Sequence, residues 1–522
     1  MEKKYFNPIF EHYKIEYNSL INEYKEQIDY NNYVVSIDGK DRQCFMKNIP
    51  LVDYIKYLIG KYKKYEICLL PTKKNICNNI YEEYIHSINN YAYIDNFFYI
   101  LSNKLNINGF KHGIEVYDSF ISIKEKCEIN IVDDFEYLCD SNYFNDNLNK
   151  LFYFKDTNIH SLFSNLKKTP IILSEENINI EYDTLEDIEV IENNLQDVSM
   201  DLIHEKSSDN GKNYSDDEDD DSNHDSNDDS NDDSNDNSND DSNDDSNDDS
   251  KEDSKEDSEY STCSESDSIM DELILVIHKM PTQNIVIEKC IDTLDSLFEY
   301  DDINIEQLTS SIFQTVIMLY VYQNVYNFTH NDLHTNNIMY IETNEEFLYY
   351  KIMGQFYKVP TYGKLYKLID FGRSIYNYNN TRLCSDSFSP NGTAHGQYNC
   401  EPFYNPNKPI IEPNFSFDLC RLACSMFDFI IDDLKDIDTF RKIPIYDLII
   451  GWVYDDNNIN VLYKKNGDER YPDFKLYKMI AKNVNNHIPE KQFSHKAFND
   501  YKQESLSKFV DIDELIKTKV HL

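Results

Sequence analysis

The residues best suited to chemistry lie between positions 330 and 372. His330-Asn331-Asp332-Leu333-His334-Thr335-Asn336-Asn337 is followed, after an apolar-aromatic stretch, by Lys367-Leu368-Ile369-Asp370-Phe371-Gly372. A carboxylate, an Asn five residues on and a second carboxylate downstream are what phosphoryl transfer asks of a protein. One acid orients an incoming hydroxyl and takes its proton, and the amide and the other acid hold the magnesium ions that bridge the phosphates. Asp332, Asn337 and Asp370 have the right types and order for those roles. Either motif alone is weak in a chain rich in Asn and Asp, and the two together in this order are much rarer.

Such groups work only if rigid elements hold them. Upstream, Leu308, Ile312, Val316, Leu319 and Tyr320 repeat at helical spacing, which predicts a long buried helix delivering the chain to the Asp332 loop. Downstream, Leu365 to Ile369 is a short apolar run between the turn signal Gly363 and Asp370, and it reads as a buried strand. Farther toward the N-terminus, Phe97, Phe98, Leu101 and Leu105 share one face of a predicted helix from Asp95 to Leu105.

On these motifs the region resembles the C-terminal lobe of the protein kinase-like superfamily, over about half the chain. The phrasing is also similar to that of serine/threonine kinases of giant DNA viruses. The resemblance implies an α+β, two-lobed fold, with a divergent β-containing N-lobe and a mainly helical C-lobe. It implies ATP and Mg2+ as cofactors and a protein Ser or Thr hydroxyl as acceptor. Phe417 to Ser425 looks like the family's central buried helix, and Asp418 would tie down the backbone of the loop. Gln283 to Cys290 followed by Asp292 to Leu297 looks like strand, hinge and next helix, so backbone groups near Glu288 and Cys290 would meet adenine. A lysine on an N-lobe strand should grip the phosphates. Lys47, in Gln43 to Lys47 after a turn at Asp38-Gly39-Lys40, is the candidate, with Glu82, Glu83 or Asp95 as its acidic partner. His330 would pack within the loop, and His334 would be a loop or substrate-side group.

The chain departs from that pattern in two places. Gly39, Gly60, Gly109 and Gly113 are the only glycines in the first 200 residues, and no G-x-G-x-x-G occurs there. Asn331 stands where protein kinases commonly carry Arg, and a neutral amide cannot pair with a phosphorylated activation loop, so activation of that kind is not expected. His-Asn-Asp also occurs in choline- and aminoglycoside-kinase-like enzymes, which makes a small-molecule acceptor the alternative. A pseudokinase scaffold is the non-enzymatic alternative. The Asp370-Phe371-Gly372 glycine and the long segment from Arg373 to Pro402 favour a protein acceptor. The stretch Glu342 to Lys364 is expected to be a packed extension.

Composition sets outer bounds. With 522 residues, 40% of them hydrophobic, the chain can bury sizeable cores. Its longest apolar run, Val316 to Tyr322, is far short of the roughly 18 residues that span a bilayer, so no membrane association is expected. A cytoplasmic location is expected, meaning host cytoplasm or virion if the protein is viral. Eleven cysteines without paired spacing argue against a disulfide framework or a structural zinc. Net charge is −45, of which the segment from Asp209 to Asp267, with 26 acids and 3 lysines, carries −23. The remainder is also acidic, which disfavours nucleic-acid binding. Residues 207–268 repeat Ser, Asp and Asn with almost no apolar side chains and are expected to be disordered. Ser226, Ser230 and Ser234 there sit in an acidic context suited to phosphorylation. The expected organisation is residues 1–206 as the first part of the N-lobe, the insert 207–268, strands and hinge 269–290, the C-lobe 291–501 and a tail 502–522.

Overall fold

The computed structural model describes residues 7–9, 21–65, 67–73, 77, 79–156 and 273–518. The acidic insert, its expected disorder and its serines lie outside the described residues. Helices and sheets are mixed, as in an α+β protein.

The main sheet is antiparallel and draws on both sides of the insert. Strands β1 (Ile21–Gln27), β2 (Asn32–Ile37), β3 (Lys40–Pro50), β4 (Val116–Asn130), β5 (Phe152–Phe154) and β6 (Ile274–Glu288) run in the order β1-β2-β3-β6-β4, with β5 also on β6. Asp38 and Gly39 both have positive φ, 52° and 74°, the requirement of a tight two-residue hairpin, so the expected turn forms and Lys47 sits well inside β3. β6 is one continuous strand that extends well ahead of the stretch from Gln283. Neighbours on both sides hold it together, and its residues from Met280 to Ile287 are buried. Pro281, which lacks an N–H, lies where β3 has just ended, and its carbonyl accepts from the Leu51 amide at 2.8 Å.

Helix α1 (Tyr91–Lys104) is buried on nearly all sides. It starts earlier than its apolar spacing suggested because Asn90 caps it, accepting from the Ala92 N–H while donating to the Leu51 carbonyl at 2.8 Å. Ser119 of β4 bonds Asn96 on one side of the helix, and Tyr326 and Tyr376 donate to its Leu101 and Ile94 carbonyls on the other.

The second half is mainly helical. After β7 (Asp292–Thr293) come α2 (Leu294–Glu299) and α3 (Ile305–Tyr326). A capping box of Asn304 and Gln307 starts α3, and Asn327 ends it in the left-handed region, at φ 53°. β8 (Ile338–Glu342) pairs with β11 (Lys364–Leu368), and between them β9 (Phe347–Ile352) and β10 (Gln355–Pro360) form a hairpin. That hairpin is the packed extension. Residues set apart in the sequence as a tail add short strands to both its edges, Lys502–Gln503 on β10 and Val510–Asp511 on β9. The hairpin β12 (Ile375–Tyr378) and β13 (Thr381–Cys384) follows, then the largely buried helix α4 (Phe417–Ile430) and an amphipathic helix α5 (Phe474–Asn483). Among the described residues no helix is long and apolar enough to cross a membrane.

Candidate functional site

The loop after α3 is held from below by a buried acid. Asp418, in the first turn of α4, accepts the His330 N–H at 2.9 Å and the Asn331 N–H at 2.8 Å. Burial pushes its carboxyl up to about 7, against the pull of those two amides. His330 bonds the Ile369 carbonyl through Nε2 at 2.9 Å, and burial lowers its pKa, so it is a neutral packing group joining the two motifs. Asn331 takes a left-handed backbone, φ 67°, which Asn tolerates better than most residues. Its amide donates to the Arg373 carbonyl at 2.9 Å and accepts from the Tyr398 hydroxyl at 2.8 Å.

From this base the polar groups converge. Asn337 donates through Nδ2 to the Asp332 carbonyl at 2.9 Å and to His334 Nε2 at 3.1 Å, while its own carbonyl accepts the Ile369 N–H at 3.0 Å. With Nδ2 engaged, Oδ1 is the acceptor left for a ligand. Burial lowers the His334 pKa, in keeping with a neutral ring whose Nε2 accepts. Thr335 bonds Asp295 of α2, so the loop is fixed laterally as well. Asp332 accepts from Arg373 at 3.2 Å and from Tyr477 of α5 at 2.9 Å.

Lys47 reaches this cluster from the sheet. Its Nζ lies 2.9 Å from Asp95 Oδ2 and 3.0 Å from Asp370 Oδ1, so segments around residues 47, 95 and 370 meet on one ammonium group. Burial opposes the charge on Lys47, but Asp370 and Asp95 outweigh it and raise the pKa well above the usual lysine value. Lys47 in turn holds the Asp370 carboxyl down at about 2, whereas burial pushes Asp95 up to about 6 despite the same neighbour. Asp95 also accepts the Phe371 N–H at 2.5 Å, and the Tyr99 hydroxyl accepts the Asp370 N–H at 3.0 Å. Of the three acids open as partners of Lys47, the structure selects Asp95. Glu82 and Glu83 lie in the first turn of a separate helix, Ile80–His86, and are not among its partners.

At the end of β6, where backbone groups near Glu288 and Cys290 were expected to meet adenine, the Glu288 N–H donates to the Glu115 carbonyl at 2.9 Å and its carboxylate holds Lys367 at 2.9 Å and the Glu115 N–H at 2.8 Å. The end of β6 is spent on sheet and core contacts, and only the peptides from Lys289 to Cys290 lie beyond the ladder. The Cys290 thiol is buried, which pushes its pKa up to about 12. In the β1–β2 turn, Asp29 Oδ1 accepts the N–H groups of Asn31 at 2.9 Å and Asn32 at 2.8 Å. A glycine-poor turn has thereby been closed by its own carboxylate.

The Asn337 carbonyl accepts the Ile369 N–H, so the Asn337 loop is joined to the segment that carries the ionised Asp370, and both side chains offer hard oxygen donors. Among the described residues no group of three or more His, Cys, Asp or Glu could hold a metal ion. Arg373, Arg421, Tyr99 and Tyr477 escaped the sequence reading. Arg373 was findable, since it directly follows the Asp370-Phe371-Gly372 motif; Tyr477 carried no local signal. No family model matches the chain, and no curated protein is significantly similar to it.

Proposed function

We propose that this chain is an ATP-dependent phosphotransferase with a two-lobed protein kinase-like architecture, acting on Ser or Thr hydroxyls of a protein. The observation that carries the reading is the meeting of Lys47, Asp95 and Asp370 beside the loop of Asp332 and Asn337. These groups come from distant parts of the sequence and have complementary charge. Asp332 receives the proton of the acceptor hydroxyl as its oxygen bonds to the γ-phosphorus and ADP departs. Asn337 and Asp370 would hold magnesium, which would supply charge neutralisation on the transferring group. Lys47 steadies the phosphates, and Asp95 keeps it aimed. The Tyr398 hydroxyl on Asn331 fixes the segment after Arg373 without any phosphate, in keeping with an enzyme that needs no loop phosphorylation.

One observation favours a second reading, a pseudokinase scaffold: the turn that would cover the nucleotide has its amides already occupied by Asp29. Labelled ATP with magnesium and a panel of protein and choline-like acceptors separates the readings. Transfer to protein that disappears in Asp332→Asn, with the fold unchanged by circular dichroism, is the expected result. Transfer to the amino alcohol alone would mark a small-molecule kinase, and nucleotide binding without turnover would mark a scaffold.

A further inference from the structure

Asp332 carries two hydrogen bonds, and both fall on the same oxygen. The Tyr477 hydroxyl donates to Oδ1 at 2.9 Å and Arg373 Nη1 lies 3.2 Å from it, whereas Oδ2 has no protein donor among the described residues. An oxygen that already accepts two donors, one of them cationic, is a poor proton acceptor. The other oxygen is the available base.

Tyr477 is itself firmly held. The Arg421 guanidinium lies 5.0 Å from its ring centroid and that of Arg373 lies 5.8 Å away. Phe474, one turn earlier on α5, stacks on the ring at 5.4 Å, and Phe417 of α4 packs at 6.1 Å. Its hydroxyl is therefore presented to Asp332 by a packed cage, with Arg373 contributing both to the cage and to the carboxylate.

We propose that Tyr477 is a positioning residue for the base. With Arg373 it fixes the plane of the Asp332 carboxylate and leaves Oδ2 as the oxygen that takes the acceptor's proton. This rests on the phosphotransferase reading. Tyr477→Phe keeps the ring and its packing and removes the O–H donor to Asp332, together with the hydroxyl's hydrogen bond to Arg421. ADP production from Mg·ATP is measured for the full chain, with and without a basic serine-containing peptide, for wild type, Tyr477→Phe, Arg373→Met and the double variant.

The expected result is a kcat about tenfold lower in Tyr477→Phe, the scale of a hydrogen bond to a charged group, with KM for Mg·ATP and the thermal midpoint unchanged. The double variant should lose less than the product of the single losses, because both donors serve one oxygen. A merely structural tyrosine would lower the midpoint and leave kcat per folded molecule intact, which overturns the proposal. So does a kcat in Tyr477→Phe within twofold of wild type, or above it, the latter meaning that the hydroxyl stands in the acceptor's way. Those outcomes leave the phosphotransferase reading standing. Wild-type protein that makes no ADP removes both.

Discussion

Lys47 and Lys367 both leave a β-strand toward a carboxylate, but their surroundings differ in charge balance and in access. Lys367 faces Glu288 at 2.9 Å and the Lys111 and Gly113 carbonyls at 2.8 and 2.9 Å, with 3% of its side chain exposed. One positive charge meets one negative charge, and three acceptors match the three ammonium hydrogens. Lys47 faces two carboxylates with 23% of its side chain exposed. Its cluster carries a surplus negative charge and a way in. A balanced, sealed pair is a fastening between elements, here between the end of β6 and the strand leading to Asp370. An unbalanced, accessible one can accept a further cation and the anion that comes with it.

Breaking the sealed pair gives the largest expected effect. Lys367→Met strands a buried carboxylate and should cost about 3–5 kcal/mol of unfolding free energy, read as a lowered urea midpoint. A cost near zero would mean that the pair is solvated in solution, and the contrast with Lys47 would fail.

Lys47→Met sharpens the contrast because its cost should depend on pH. Asp95 titrates near 6 in the folded protein, above the usual carboxylate value, because it is buried and Lys47 only partly offsets this. Removing Lys47 pushes it higher still. A folded pKa above the unfolded one means that the native state binds more protons between the two, so stability falls as pH rises through that window. The penalty of Lys47→Met should therefore already be present near pH 4, where Asp370 is ionised and loses its counter-charge, and should grow further through pH 6 to 8, where folded Asp95 ionises in the wild type. Thermal melts of variant and wild type at each pH cancel the titration of the histidines they share. A penalty that is flat with pH would show that Asp95 does not depend on Lys47 for its charge.

These differences explain what could be read beforehand. Asp332, Asn337 and Asp370 were legible because two short motifs fix their spacing, and α3 was legible because its buried positions repeat at helical spacing. Lys47 could be picked out as a strand lysine after a turn, yet by the same criterion Lys367 is an equal candidate, and no local pattern says which lysine ends up sealed. That depends on Lys111, Gly113 and Glu288, brought together by pairing between β4 and β6 across the insert. The side-chain role of Glu288 was not legible for the same reason: its partner Lys367 lies 79 residues on. Asp95 was one of three open choices, and its contacts with Lys47 and with the Phe371 N–H, 276 residues on, are set by packing rather than by a local motif. Tyr477 meets Asp332 across 145 residues through helix packing alone.

The smallest expected effect concerns the turn beside Lys47. Asn31 accepts the Met46 N–H at 2.7 Å through its carbonyl and the Asn48 amide at 2.9 Å through its side chain, so the turn is fastened to β3 on both sides of residue 47. The Tyr30 hydroxyl accepts the Glu128 N–H at 2.9 Å and pins the same turn to β4. Within it Asp29 occupies the Asn31 and Asn32 amides, and the Asn32 side chain and those amides lower its pKa, so it stays ionised. A phosphate approaching Lys47 under this turn would meet a carboxylate where free N–H groups would bind it better. Asp29→Gly removes that charge and releases both amides without touching Tyr30 or Asn31. Mg·ATP should then bind about fivefold more tightly by titration calorimetry, the scale of restoring donors to a charged acceptor at an exposed site. An unchanged affinity would place the phosphates away from this turn, and the surplus charge around Lys47 would then have to attract its ligand without a cover.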